Sequence, residues 1–284
     1  MRFRGIGLHR KKQKPLEDIG EYPPLERDIP TIELKPYRIQ APAGLTVSIG
    51  SDLGTREYQQ DCIAYSVARD QFAAVVCDGM GGLKGSGLAS QTAVKLWKAQ
   101  YELGFTDFSD FAESSVCAID RAIAEMEQAG GTTIAAIWVH DCGLQWMSVG
   151  DSKVYLIRNG VIYPLTREHN YQLVLNRRLE RGELSPERYE KEMIRGGSLV
   201  SYLGSGQYPF IDIRKEPENL SPGDVVLVCS DGLYKSIPEE MLGKIVAGYT
   251  GDFETLAQYL LDYAARNNNI RDNTTLALVR YDGV

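Results

Sequence analysis

Residues 72–82 read Phe-Ala-Ala-Val-Val-Cys-Asp-Gly-Met-Gly-Gly. Phe72 to Cys77 carries no polar side chain and has the length and texture of a strand buried on both faces. It stops at Asp78, and glycine follows at 79, 81 and 82. A strand that empties into an aspartate and a glycine turn puts a carboxylate at the rim of a sheet. The glycines let backbone come close to a ligand, and the Gly79 carbonyl can point at a cation. Beyond Gly85 the pattern predicts a helix over 86–103, its N-terminus near the same rim. A single such stretch is equally a tight turn with a solvated aspartate.

Two later segments repeat the pattern. Asp224 to Ser230, DVVLVCS, is again apolar and ends in Asp231-Gly232. Arg271-Asp272-Asn273-Thr274-Thr275 leads into a final strand over Leu276 to Tyr281. Three aspartates at one sheet edge repel one another unless neutralised. Carboxylate, carbonyl and water ligands suit Mg²⁺ or Mn²⁺. A pair of such ions lowers the pKa of a bridging water and stabilises in-line displacement at phosphorus. Asp61, closing the polar stretch that begins at Ser51, and Asp151, in Gly150-Asp151-Ser152, are further candidates. Arg56 supplies the bidentate guanidinium that a phosphate dianion calls for.

Around these segments the chain alternates strands and helices. Strands are expected at Thr46–Gly50, Cys62–Ala68, Thr132–His140, Leu144–Val149, Lys153–Arg158 and Val161–Leu165. Asn159-Gly160 is a strong hairpin signal, so the sheets are expected to be antiparallel. A second helix is expected over 108–129, with Ala112, Val116, Ile119, Ile123 and Met126 at helical spacing and Gly130-Gly131 as its stop. Later helices are expected over 238–247 and 252–267. Residues 168–206 break the rhythm. Their charged, amphipathic pattern predicts helices over 170–182 and from Ser185-Pro186, an excursion over the surface.

Composition bounds the reading. The 284 residues, 43% hydrophobic and 24% charged, suit one large or two small soluble globular domains. A net charge of −7 argues against a nucleic-acid binder. The cysteine count, 5, is odd and no two form a CxxC pair, which disfavours a zinc site or disulfide framework and suits a reducing cytoplasm. Cys62, Cys77 and Cys229 read as small buried hydrophobes. No apolar run approaches the roughly 18 residues of a membrane helix. Residues 1–42 read as a separate extension: six basic residues precede any acid, and half of the 12 prolines fall between Pro15 and Pro42. That composition suits a solvated tail or a docking arm for an acidic partner. The domain proper is expected over 43–284.

The ordered set Ser51-Asp52, Gly54, Arg56, Gln60-Asp61, Asp78-Gly79-Met80-Gly81-Gly82, Gly85, Ala89-Ser90, Gly131-Thr132-Thr133, Gly150-Asp151-Ser152, Ser230-Asp231-Gly232-Leu233 and Asp272-Asn273-Thr274-Thr275 resembles the metal-dependent serine/threonine protein phosphatases of the PP2C (PPM) family, bacterial branch. The resemblance spans about residues 45–283. It implies an α+β fold, a four-layer αββα sandwich of two antiparallel sheets flanked by helices, with residues 168–206 as a helical flap. It implies hydrolysis of phosphoserine and phosphothreonine by direct attack of a metal-activated water, with two Mn²⁺ or Mg²⁺ ions and a third seen in bacterial members. Asp78 would bridge two ions and the Gly79 carbonyl would bind the second. Asp231 and Asp272 would complete the shell of the first ion, and Asp61 would hold metal-bound waters. Arg56 would bind the substrate phosphate, and Asp151 with Asp231 would hold the third ion. The implied partners are phosphorylated proteins, a Ser/Thr kinase and its targets among them, and the implied enzyme is a cytoplasmic monomer.

Three positions depart from the pattern. Gln60 stands where many members have a glutamate on the second metal. Met80 stands where animal members have a histidine proposed as general acid. Glu168-His169-Asn170 stands where Asp-His-Ser is usual, and His169 reads as a hydrogen-bonded structural histidine rather than a catalytic acid. Gln60 alone motivates an alternative, a pseudo-phosphatase that binds phosphoproteins without turnover. A two-metal nuclease would share the carboxylates, but net acidity and the full motif order oppose it. Ser230 lacks the His and Asp partners of a serine nucleophile.

Overall fold

The structure, a computed structural model, describes residues 41–42, 44–68, 71–80, 85–128, 130–269 and 271–283. The expected N-terminal extension therefore lies outside the described residues except for Ala41 and Pro42, as do Gly81 and Gly82 of the glycine turn.

The apolar run at 72–77 is buried on both sides, and its alternation shows why. It lies in β3 (Gln71–Asp78). Phe72, Ala74 and Val76 face one core, while Ala73, Val75 and Cys77 face another, all of them fully buried. β3 sits in a sheet with β2 (Asp61–Ala68), β4 (Ile134–His140), β5 (Gly143–Val149) and the short β8 (Asp212–Ile213), in the order β2-β3-β4-β5-β8. The two-residue β9 (Glu218–Asn219) adds to β5. The second sheet runs β1 (Leu45–Asp52), β11 (Thr274–Tyr281), β10 (Val225–Cys229), β6 (Lys153–Arg158) and β7 (Val161–Pro164). Every pairing in both sheets is antiparallel.

Three cores separate four layers. Between the sheets, Phe72, Val76, Ile137 and Val139 meet Val154, Val226, Val228 and Val279. The outer face of the β2–β5 sheet is covered by α1 (Ser86–Glu102) and α2 (Phe108–Ala124), through Trp97, Phe111, Val116 and Ile119. The outer face of the other sheet is covered by α5 (Asp231–Ser236), α6 (Glu239–Gly248) and α7 (Leu256–Asn267), through Leu233, Leu242, Leu256 and Leu260. This is the expected α+β sandwich of two antiparallel sheets flanked by helices. Emptying one such position costs several times the value of a surface contact: Phe72→Ala would remove about 3–5 kcal/mol.

Several expected boundaries move, each for a local reason. α2 ends at Ala124, capped by Glu125, five residues before the glycines expected to stop it. Its amphipathic face is spent by Ile123, and Met126 only packs against the edge of the core. Asp231-Gly232 is not a turn out of a strand but the first turn of α5, with Ser230 as the extended residue before it. β1 runs on through Ser51 and Asp52, which pair with Thr275 and Thr274. The Asn159-Gly160 hairpin forms as expected, both residues at positive φ, 53° and 76°.

Residues 170–199 form a closed excursion. Asn170 bridges Leu199, the Tyr171 amide donates to the Ser198 carbonyl at 2.8 Å, and the Gln172 amide donates to the Gly196 carbonyl at 2.9 Å. Within it lie α3 (Tyr171–Glu180), capped by the Asn170 side chain, and α4 (Pro186–Glu192), capped by Ser185 with Pro186 at the first helical position. Leu175 is the one buried side chain of these two helices, so the segment leans on the domain without sharing its cores.

Candidate active site

Asp78 is the last residue of β3, and the strand end is held by a threonine pair. The Asp78 amide donates to Thr133 Oγ1 at 3.0 Å, the Thr133 amide to the Asp78 carbonyl at 2.9 Å, and Thr132 Oγ1 to that same carbonyl at 2.9 Å. The Gly131-Thr132-Thr133 motif thus fixes the backbone from which the Asp78 carboxylate projects. Gly79 continues this packing. A β-carbon there would stand 2.5 Å from the Ser86 carbonyl oxygen and 2.8 Å from that of Gln60, so only glycine fits.

Asp61 stands opposite Asp78 in the β2–β3 register. It is buried, its Oδ2 accepts from Ser230 Oγ at 2.6 Å, and its Oδ1 is buried without a hydrogen-bond partner. Ser230 in turn accepts from the Thr275 amide at 2.9 Å. The serine hydroxyl is therefore committed to positioning and leaves no room for a nucleophilic role. Asp231 follows it at the start of α5. Asp272 lies two residues before β11. It accepts from the Asn273 amide through Oδ1 at 2.9 Å and from Arg56 through Oδ2 at 2.6 Å. Asn273 knits three segments together: its Oδ1 accepts from the Gln60 amide at 2.8 Å and its Nδ2 donates to the Leu53 carbonyl at 2.9 Å.

Asp151 comes from the loop between β5 and β6. Gly150 takes φ 107°, a conformation side-chain-bearing residues rarely adopt, and a β-carbon would stand 2.6 Å from Thr133 Cγ2. His169 clasps this loop. It is fully buried, accepts the Gly150 amide on Nδ1 at 3.1 Å, and donates its own amide to the Gly150 carbonyl at 2.9 Å. The proton then resides on Nε2, 3.5 Å from Asp212 Oδ1. This is a structural histidine, sealed away from any leaving group.

Arg56, Gln60, Asp78, Gly79, Met80, Asp151, Asp231 and Asp272 line one cavity of about 260 Å³. Gly197 and Leu199 of the excursion form part of its wall. A larger cavity of about 490 Å³ lies elsewhere, but its buried carboxylate, Asp224, is already bound bidentately by Arg158. We place the chemistry in the smaller cavity because its carboxylates outnumber its cations: Asp78, Asp151, Asp231 and Asp272 share it with Arg56 and Lys235. Burial and then the charges of Asp61, Asp231, Asp151 and Asp272 push the Asp78 carboxyl well above its usual range. Burial raises Asp61 to about 7, against the hydrogen bond from Ser230. Burial, with the charge of Asp231, raises Asp151 to about 7.

Carboxylates crowded in this way call for cations. Among the described residues no three acidic, thiol or imidazole groups already converge at metal-ligand distance; two carboxylates instead turn to basic side chains, Asp272 to Arg56 and Asp231 to Lys235. The partnerless Asp61 Oδ1, the raised Asp78 and an all-oxygen donor set fit hard divalent ions. The reading of the sequence did not include Lys235, Asn273 or Thr133 among the site residues. Lys235 comes near Asp231 only because α5 is a helix, and a turn had been expected there.

Cys62, Cys77 and Cys229 offer no competing chemistry. Cys77 and Cys229 are fully buried, Cys62 partly, and burial lifts the Cys62 thiol to about 11.

The sequence model of the protein phosphatase 2C family matches residues 51–273. The chain belongs to this family and is a protein phosphatase. Over 226 residues, 75% of this chain and 86% of the relative, it is 29% identical to the serine/threonine phosphatase stp of Listeria monocytogenes. The S. agalactiae serine/threonine phosphatase shares the fold at a TM-score of 0.71 with 24% identity, over 83% of this chain and 99% of that one. A similar likeness, TM-score 0.62 and 24% identity over 83% of this chain and 97% of the other, holds for the catalytic domain of the phosphatase PstP, solved in complex with 2 manganese ions.

Proposed function

We propose that this phosphatase hydrolyses phosphoserine and phosphothreonine in proteins at the cavity lined by Asp78, Asp151, Asp231 and Asp272, with no covalent phosphoenzyme. The observation that carries this reading is the excess of carboxylates, four against the two cations Arg56 and Lys235, in one cavity. Asp78, the Gly79 carbonyl, Asp231 and Asp272 are the groups that would hold two divalent ions, Mn²⁺ or Mg²⁺. When bound, such ions neutralise the carboxylates and make water a competent nucleophile at neutral pH.

The chain's own residues do the rest. Arg56, half exposed on the rim, gives up Asp272 and presents its two-pronged guanidinium to the phosphate dianion. Asp61 accepts hydrogen bonds from water, for which its unpartnered Oδ1 is available. Gln60 offers an oxygen without a charge. Met80 has no proton to give, so the leaving serine or threonine oxygen takes its proton from water. Gly197 and Leu199 in the cavity wall support a reading of residues 168–206 as a substrate-facing flap.

The substrates proposed are phosphorylated proteins, among them a Ser/Thr kinase and its targets. A reducing cytoplasm is supported by five cysteines that are all free, and among the described residues no helix is long and apolar enough to cross a membrane.

The test is hydrolysis of p-nitrophenyl phosphate with Mn²⁺, with Mg²⁺ and with EDTA, beside Asp231→Asn. Metal-dependent turnover lost in the variant is the expected result. No turnover with either ion from folded protein would overturn the reading in favour of a phosphoprotein-binding role.

A further inference from the structure

The sequence resemblance implies a third divalent ion on Asp151 and Asp231, yet the structure puts a basic side chain of this chain in that corner. α5 begins on Asp231, so Lys235 lies four residues on, one turn along the same face. Its ammonium pairs with Asp231 Oδ2 and also faces the charges of Asp151 and Asp78. The Tyr234 hydroxyl donates to the Asp151 carbonyl at 3.0 Å, tying α5 to the Asp151 loop and fixing where residue 235 emerges. The neighbouring lysine is committed elsewhere. Lys153 bridges Glu168 at 2.7 Å and Glu239 at 2.8 Å and lies 4.1 Å from the Tyr234 ring centre.

We propose that Lys235 is the resident cation of the Asp151–Asp231 corner and excludes a third divalent ion, so that this protein holds two ions where the resemblance implies three. The proposal rests on the reading of the cavity as a divalent-metal site. An ion entering this corner meets a like charge tethered one turn from its ligand, and it gains Asp231 there only by displacing the ammonium. An ammonium is a compact charge on a flexible stem, and Lys235 is 59% exposed, so the displaced group can reach water. The exclusion is therefore a competition, read as lost affinity. The two-ion site shares Asp231 with this corner, but it also has Asp78 and Asp272, with which Lys235 makes no ion pair, so the competition falls hardest on the third ion.

The test is equilibrium dialysis of the full chain against Mn²⁺ from micromolar to millimolar, with metal analysis of the protein, for wild type, Lys235→Arg, Lys235→Gln and Lys235→Asp. Lys235 is half exposed and belongs to none of the three cores, so the variants are expected to fold, which their thermal melts would report. Two ions are expected on wild type and on Lys235→Arg. A third is expected on Lys235→Asp, at least about tenfold tighter than any third-site binding in wild type, with Lys235→Gln in between. Three ions on wild type, two on Lys235→Asp, or a third on Lys235→Arg would each overturn the proposal. Absence of bound Mn²⁺ from wild type and variants alike would overturn the metal-site reading itself, and this inference with it.

Discussion

Ser230 Oγ donates to Asp61 Oδ2 at 2.6 Å across 169 positions of sequence, from the end of a strand in one sheet to the start of a strand in the other. The same oxygen accepts from the Thr275 amide, so a single hydroxyl joins β2, β10 and β11 beneath the acidic cavity. Ser230→Ala removes the donor to a buried carboxylate and the acceptor of a buried amide together. A stability loss of about 1–3 kcal/mol is expected in urea denaturation, with turnover falling too as Asp61 loses its orientation. Unchanged stability would mean that this bond is not made in solution.

Asp61 itself sets a pH dependence. Its carboxyl is raised to about 7 by burial, against an unfolded value near 3.8. The folded state thus holds this proton more tightly than the unfolded chain does. The resulting stability is fully present below pH 4, falls as pH rises from about 4 to 7, and is gone above. Asp61→Asn has no such proton and can still accept from Ser230. In EDTA the variant and wild type are expected to be similarly stable at pH 4. At pH 8 the variant should be the more stable, by up to about 4 kcal/mol at about 1.4 kcal/mol per unit. Parallel stability curves from pH 4 to 8 would contradict the raised carboxyl.

Arg56 is paired with Asp272 at 2.6 Å and half exposed, so its removal should cost function more than stability. For a phosphopeptide substrate, Arg56→Ala is expected to lower kcat/KM by roughly 10- to 100-fold, the value of a charge-assisted bidentate contact. Most of the loss should fall in KM if the guanidinium grips the ground-state phosphate. Arg56→Lys should recover little, because an ammonium does not reproduce the fork. An Arg56→Ala variant with wild-type KM would remove the residue from the phosphate site.

Gln60 lines the cavity beside Asp78 and Gly79 without a charge of its own. Gln60→Glu is expected to tighten the weaker of the two Mn²⁺ dissociation constants by about tenfold, near 1.4 kcal/mol. Calorimetric titration would read this directly. An unchanged constant would show that residue 60 stays outside the metal shell.

Much of the molecule can be read from local pattern. The fully apolar run at 72–77 has the length and texture of a strand buried on both faces, and such a strand requires layers on either side. Asn159-Gly160 determined one hairpin, and Ser185-Pro186 determined where α4 opens, because cap and turn chemistry act within a few residues. The ordered aspartates and Arg56 pointed to one acidic cavity before any of their separations could be known.

Other features depend on contacts between distant segments. The early end of α2 is set by where Ile123 runs out of core to cover, and a nearby pair of glycines could not report that. The roles of Thr132, Thr133, Ser230 and Asn273 exist only where β3 meets β4 and where Leu53, Gln60 and Thr275 come into reach, since hydrogen bonds depend on position in space. The short helix α5 decided most. Asp231-Gly232 reads as a turn when only a strand precedes it, and residues 231–236 become helical once Leu233 finds the core beneath β10. By itself, then, the sequence determined the layers and the carboxylates. The tertiary structure decided which cations of the chain those carboxylates face, because charge pairing is settled by distance, and Lys235 reaches Asp231 only through a turn of helix that the fold, not the local pattern, imposes.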